Sequence, residues 1–345
     1  DRGFSPRTPR ILVMNDGIPV GMASIAHSVP EWVVDNHYFE RIVETSDEWI
    51  VQRTGISERH WLKPGQRPSD MFVEAGNLAM ERAGVTAEDI DLIICGSVSG
   101  DFTAPSQACV IQDRLGIRNN CGAFDVAAAC SGFMYALSCG ATFVTSGKYK
   151  NVLVLGGEAM SRMINHEDRT TVVLFGDGAG ATVLQPHDVC KQGLIEDFTL
   201  HADGSGSHFI IKPRGGGWEP MNEEILAKRE HLIQMKGREV FRFAYSKMQE
   251  MCDWAMAGIE HDHSKLGWML PHQMNRRILT SAMDALGIPK EKVLHNIHKY
   301  GNTSSASVPI LFSEAWDDGQ LEKDKYLILA AFGSGLTWAG MRIKW

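Results

Sequence analysis

Asp125-Val126-Ala127-Ala128-Ala129-Cys130-Ser131-Gly132-Phe133 is the stretch on which the fold turns. A run of small apolar residues reads as a strand buried on both faces. It ends at a cysteine, and the residues after it read as the start of a helix. The N–H groups and partial positive charge of a helix N-terminus favour thiolate over thiol at such a junction. Two loop motifs lie far down the chain, Pro271-His272-Gln273-Met274-Asn275 and Gly301-Asn302-Thr303-Ser304-Ser305. A thiol, an imidazole and a carboxamide, each beside an apolar strand-like or helical segment, point to acyl-transfer chemistry.

Working outward, strand-like and helical runs alternate. Residues 18–25 are β-like, 70–83 place Met71, Ala75, Leu78 and Ala79 on one helical face before Gly84, and 91–96 form a continuous apolar strand. Pro105 opens a helix that stops at Gly116, 123–129 give the nucleophile strand, and 151–155, 171–175 and 180–184 follow as strands. Gly176-Asp177-Gly178-Ala179-Gly180 lacks the Lys-Ser/Thr of a phosphate loop and is expected to be a tight turn. Residues 237–259 and 275–286 are helical, and 266–270 and 326–331 are apolar strands. Continuous rather than alternating apolar strands imply an α/β fold with sheets covered on both faces by helices. Residues 91–96 resemble 266–270, and 176–180 resemble 332–336, which indicates an internal duplication with its seam near 186–193.

The 345 residues exceed the usual size of one hydrophobic core, in keeping with two halves. A net charge of −8 argues against general nucleic-acid binding, which needs a basic face. Seven cysteines without a short-spaced framework suit reduced thiols in a cytoplasmic setting. No apolar run reaches the ~18 residues of a membrane span, and no signal-peptide core opens the chain. Cys95, Cys109, Cys139 and Cys252 fall in apolar patterns and are assigned to packing. His261-Asp262-His263 lacks the further ligands that a metal site requires and reads as a solvated turn. An isolated Asn302 at a helix start is explained equally well as an N-cap; its functional reading depends on the company of Cys130 and His272.

Six ordered motifs together resemble β-ketoacyl-acyl carrier protein synthase III, of the thiolase-like condensing enzymes. They are residues 45–56 (Thr-Ser-Asp-Glu-Trp-Ile-Val-Gln-Arg-Thr-Gly-Ile), 125–132, 175–181, 271–275, 301–307 and 332–338, and the likeness runs from about residue 18 to 345. The resemblance implies a thiolase-like fold of two duplicated halves, layered α-β-α-β-α with mixed five-stranded sheets. The divisions expected are a flexible tail over 1–17, a nucleophile-bearing half over 18–190 and a half over 191–345 carrying the histidine and asparagine. It also implies decarboxylative condensation of an acyl-CoA primer with malonyl-acyl carrier protein, starting fatty acid synthesis, in a cytoplasmic homodimer with no cofactor, no metal and no membrane partner.

By the same resemblance Cys130 holds the acyl group, while His272 and Asn302 donate hydrogen bonds to the enolate oxygen. The N–H groups of Cys130 and Ser334 meet the oxyanions, and Phe332 borders the malonyl carboxylate. Trp49 and Arg53 are expected at the adenine end of CoA and Arg162 near its phosphates. Gly237, Phe241, Met274 and Asn275 are expected along the pantetheine, and Arg276 and Arg277 at the carrier protein. Met274 stands where the family usually has alanine, and Ser334 where it has glycine. Ala104, beside Phe102, stands at the acyl-pocket gate that is often phenylalanine, which implies a pocket for primers longer than acetyl. The alternatives are a condensing paralogue of secondary metabolism (quinolone, polyketide starter or acyl transfer) and a non-catalytic partner subunit. Retention of all three polar residues argues against the last.

Overall fold

The computed structural model describes residues 17–345; residues 1–16 of the expected tail lie outside the described residues. Its strands are β1 (Val20–Met22), β2 (Ala26–Ser28), β3 (Trp32–Asp35), β4 (Glu58–Trp61), β5 (Leu92–Gly96), β6 (Gly122–Val126), β7 (Val152–Ala159), β8 (Asp177–Pro186), β9 (Leu194–Ala202), β10 (Ile210–Ile211), β11 (Gln234–Met235), β12 (Leu266–Pro271), β13 (Tyr326–Gly333) and β14 (Thr337–Lys344).

Two sheets repeat one pattern. In the first, the order is β6-β5-β7-β8-β1, with β5 parallel to both β6 and β7 and the later neighbours antiparallel. In the second, β12 is parallel to β13, and β14 and β9 follow antiparallel. The place matching β6 is taken by a single parallel bridge from Val293 to Met269, so the fifth strand of the second sheet is reduced to one residue pair. One pairing, Gly21 with Leu194, joins the two sheets.

The strands are covered on both faces, which explains their continuous apolar runs: all eight residues of β7 are buried. On the outer face of the first sheet lies the helix Pro68–Ala83, opened by Pro68 with the Asp70 carboxylate accepting from Arg67 N–H at 2.8 Å. It stops where Gly84 takes φ +67°, a left-handed conformation that glycine adopts without strain. Between the sheets run Gly132–Thr145 and Ser307–Asp317, whose Phe133, Leu137, Leu311 and Phe312 share one core with strands of both halves. Each such side chain contributes about 2 kcal/mol by leaving water. Gly237–Ala257 and Arg276–Ala285 cover the far face of the second sheet. The layers are therefore α-β-α-β-α.

Four local expectations need correction. Residues 171–175 are not a strand: Asp168 caps Thr170 N–H and opens the short helix Arg169–Val172, and only Phe175 pairs, by one bridge to Asn302. Gly176-Asp177-Gly178 is not a tight turn but the entry to β8. Asp177 is buried there and accepts from Leu62 N–H, Ser161 N–H and the Ser161 hydroxyl. The strand before Cys130 is not buried on both faces. β6 ends at Val126 as the edge of its sheet, and its residues are half-buried or exposed. Cys109, expected in packing, is exposed.

Candidate active site

Cys130 lies in a 3-10 turn, Ala129–Ser131, that links β6 to the central helix Gly132–Thr145. Ala129 holds φ +46°, a left-handed conformation costing about 1 kcal/mol for a residue with a Cβ. The other half clamps this turn. Thr337 Oγ1 donates to Ala128 O at 3.1 Å and Ser131 Oγ donates to Thr337 O at 3.3 Å. Gly333 packs so closely that an added Cβ would lie 2.7 Å from Cys130 N.

His272 follows the last residue of β12 and donates its N–H to Ala330 O at 2.8 Å, so β13 fixes its backbone. Asn302 is fixed from both sides, its N–H donating to Leu174 O at 2.8 Å and its C=O accepting from Gly176 N–H at 3.1 Å. Asn302 Oδ1 accepts the Ser304 N–H at 2.9 Å. This is a local turn contact rather than an N-cap, since Thr303 holds the cap position of the 3-10 turn Ser304–Ala306, and it turns the NH2 end of the amide to the other side. Cys130, His272, Asn302, Phe332 and Ser334 line one cavity of about 310 Å³. It opens at the carboxyl ends of strands, where ligands gather in such sheets.

The remaining walls are mostly apolar, with Met160, Phe175, Ile210, Phe243 and Met274 among them, and Lys212 and Ser304 are the polar exceptions. Burial therefore governs the titrations. It pushes the Cys130 thiol up to about 11, with a hydrogen bond from the Ser304 hydroxyl at 3.3 Å opposing it. The junction does not make a resting thiolate, because desolvation outweighs the N-terminal field. Burial likewise holds the His272 imidazole down at about 3, so it is neutral. Its ring meets the Phe332 ring edge-on, with centroids 5.4 Å apart.

Other expected residues lie outside this cavity. Trp49 is half-buried, and Arg169 stacks on its ring with the guanidinium carbon 4.9 Å from the centroid. Arg162 is directed at the loop before the helix Pro68–Ala83, donating to Gln66 O at 2.5 Å. Asn275 caps the helix Arg276–Ala285 through Oδ1 and donates from Nδ2 to Arg53 O at 3.0 Å, so both ends of its amide are occupied. Gly237 and Phe241 begin the helix Gly237–Ala257, and Phe241 is exposed. Arg276 and Arg277 share a shallow hollow with Val51, Gln52, Thr280 and Ser281. Phe102 and Ala104 are exposed on a loop beyond β5.

Sequence reading missed Arg169, Ser304, Ser307 and the apolar walls. A hydroxyl-rich helix start after Asn302 was the one available signal for the serines.

Comparison with known proteins gives the family of the chain. Residues 124–204 match the family model 3-oxoacyl-[acyl-carrier-protein] synthase III, and 257–345 match the model of its C-terminal part. The chain is 42% identical to a β-ketoacyl-[acyl-carrier-protein] synthase III of Sulfurovum sp. strain NBC37-1, over 92% of this chain and 93% of that one. A solved 3-oxoacyl-[acyl-carrier-protein] synthase III from Aquifex aeolicus VF5 superposes with a TM-score of 0.85 at 37% identity, covering 94% of this chain and 100% of that one. A priming β-ketosynthase from the R1128 polyketide pathway superposes with the same TM-score of 0.85 at 30% identity, covering 98% and 97%.

Proposed function

This chain belongs to the 3-oxoacyl-[acyl-carrier-protein] synthase III family, and we propose that its central cavity carries out both half-reactions of that condensation through Cys130, His272 and Asn302. The chain is a condensing acyltransferase that joins an acyl-CoA primer to malonyl-acyl carrier protein, the initiating condensation of fatty acid synthesis. The higher identity to the Sulfurovum relative favours this role over that of a polyketide primer.

The Cys130 sulfur attacks the acyl-CoA carbonyl, the C–S bond to CoA breaks, and the thiol proton leaves with the CoA sulfur. The backbone N–H groups of Cys130 and Ser334 are assigned to the tetrahedral oxyanion. Malonyl thioester then loses CO2, its C–C bond electrons forming an enolate. The enolate carbon bonds the acyl carbonyl and expels the Cys130 sulfur as thiolate, which takes up one proton from solvent water. His272 Nε2 and Asn302 Nδ2 donate to the enolate oxygen where the charge develops. The apolar edge of Phe332 beside His272 leaves the malonyl carboxylate poorly solvated, which favours its loss as CO2. The atoms balance with two thioesters and one solvent proton, so the reaction calls for no cofactor or metal.

One observation carries this reading: Asn302 Oδ1 is taken by the Ser304 N–H and His272 Nδ1 by the Ser307 hydroxyl, so Nδ2 and Nε2 are the groups left for substrate. Met160, Phe175 and Ile210 supply an apolar wall for an acyl chain. The Trp49–Arg169 pair suits the adenine end of CoA, with Arg53 nearby, since an aromatic face and a guanidinium both stack on a base. Gly237, Phe241 and Met274 are placed along the pantetheine, and Arg276 and Arg277 with the acidic carrier. The half-exposed edge strand β6, with Phe124 and Val126 on it, supports pairing with a second copy. Phe102 and Ala104 would then border the partner's acyl pocket. We assign residues 18–190 and 191–345 to the two halves. No described helix is long and apolar enough to cross a membrane, and a cytoplasmic enzyme is the working assignment.

CO2 release from malonyl-acyl carrier protein tests the roles. Cys130→Ala should release CO2 without forming product, whereas His272→Ala and Asn302→Ala should each lose release by about 10²-fold or more. Undiminished release by both of the latter would remove the donor roles.

A further inference from the structure

Ser307 is the first residue of the helix Ser307–Asp317 and is fully buried, as is His272. Its Oγ lies 2.5 Å from His272 Nδ1 and accepts the Gln273 N–H at 3.3 Å. That N–H is rigidly placed. Gln273 is itself buried, its Nε2 donating to Pro271 O at 2.8 Å and its Oε1 accepting from Asn296 N–H at 3.2 Å.

A serine hydroxyl has one proton to give and two lone pairs. One lone pair faces Gln273 N–H. Among the described residues, His272 Nδ1 is the only acceptor within hydrogen-bond reach of the hydroxyl proton. The proton therefore points at Nδ1, which must be bare. A neutral imidazole with a bare Nδ1 carries its proton on Nε2.

The choice of a hydroxyl has a chemical consequence. A carboxylate or carbonyl beside Nδ1 can only accept, which forces Nδ1–H and leaves Nε2 as a lone pair, the arrangement of a general base. A hydroxyl pinned by a backbone N–H does the reverse. An Nε2 lone pair would repel a developing enolate oxygen, whereas Nε2–H stabilises it.

We propose that Ser307 is a positioning residue that locks His272 in the Nε2–H tautomer, making the ring a hydrogen-bond donor rather than a base. The inference rests on the donor role assigned to His272 above and names what enforces it.

The wild-type tautomer is measurable without any variant at the serine. In full-length enzyme carrying 15N-labelled histidine, long-range proton–nitrogen correlation at about pH 7 separates the two tautomers. His272 is picked out from the 13 histidines by the signal absent in His272→Asn. An Nε2–H pattern is expected, and an Nδ1–H pattern overturns the proposal.

Ser307→Ala should then lower CO2 release from malonyl-acyl carrier protein by about 10–10²-fold, in kcat rather than KM, the scale of losing one preorganised donor. Ser307→Thr, which keeps the hydroxyl, should recover most of that loss. Release within about twofold of wild type for Ser307→Ala overturns the proposal, as does an equal loss in the threonine variant. Should the alanine variant not fold, the wild-type spectrum alone decides. Full CO2 release by His272→Ala would instead overturn the donor role itself, so the two failures are distinguishable.

Discussion

The Ser304 hydroxyl donates to Cys130 Sγ at 3.3 Å, across the join between the two halves of the chain. The same residue gives its N–H to Asn302 Oδ1 at 2.9 Å. One serine therefore orients the carboxamide and partly offsets the burial that lifts the thiol to about 11. In the free enzyme, alkylation of Cys130 by iodoacetamide should climb close to tenfold per unit from about pH 7 to about pH 9, without a plateau. Ser304→Ala should slow it about three- to tenfold at every pH, the range of one net hydrogen bond. Mass analysis of the Cys130 peptide reads both. A plateau below about pH 8 would show a resting thiolate and refute the buried-thiol assignment.

Asn302→Asp separates architecture from chemistry. An aspartate oxygen still accepts the Ser304 N–H, so the loop should keep its shape and thermal unfolding should be little changed. The NH2 donor is gone, and a negative charge faces the forming enolate. Loss of CO2 release by about 10²–10³-fold is expected, while acyl loading of Cys130 falls much less. Equal losses in both half-reactions would mean that the substitution disturbs the whole cavity.

Cys130 and His272 were legible because each follows an apolar run with a polar residue that packing does not call for, whereas Asn302, after His298-Lys299-Tyr300-Gly301, was legible only in their company. The cavity walls were not. Met160, Phe175, Ile210 and Phe243 come from separate segments, and each looks like ordinary core until the fold brings them to one side of the thiol. Residues 171–175 have a β-like composition, but the Asp168 cap decides for helix. Arg162, expected near the CoA phosphates, and Arg169 are alike as residue types. Only the path of the chain shows that Arg162 is held by backbone carbonyls and Arg169 by the ring. The Ser307 hydrogen bond was hidden for a similar reason, since it joins two motifs 35 residues apart.

Gly333 tests how tightly the second half supports the nucleophile. An alanine Cβ there would lie 2.7 Å from Cys130 N, 3.0 Å from Ser131 N and 3.1 Å from Ala128 O, all backbone atoms that cannot swing aside. Gly333→Ala should lower stability by about 1–3 kcal/mol, as overpacking does. It should also slow acyl loading from acyl-CoA at least about tenfold, because the N–H assigned to the oxyanion moves. Loading followed by intact mass at the wild-type rate would show that this contact can relax without consequence.

Glu158 supplies a pH-dependent test of the cavity's support. This fully buried carboxylate is the penultimate residue of β7, next to the loop that carries Val98, a residue of the cavity wall. It accepts from Ser97 Oγ at 3.2 Å, from Val98 N–H at 3.1 Å and from the Ser99 hydroxyl. Among the described residues it has no cationic partner within salt-bridge distance, and burial pushes it up from 4.5 to about 7. Between those two values the folded chain binds more protons than the unfolded one, so this group makes stability fall as pH rises from about 4.5 to about 7 and adds no further change above. The slope it contributes is at most about 1.4 kcal/mol per pH unit. His272 acts in the opposite sense: its folded value of about 3 lies below the unfolded 6.5, so stability falls as pH drops through that interval. The difference between wild type and Glu158→Gln in urea unfolding cancels the His272 contribution. Wild type should lose ground to the variant with each unit of rising pH through the Glu158 window, then hold a constant offset. A difference that stays flat across the window would mean that Glu158 ionises like an exposed carboxylate, and that the loop bearing Val98 is held by something else.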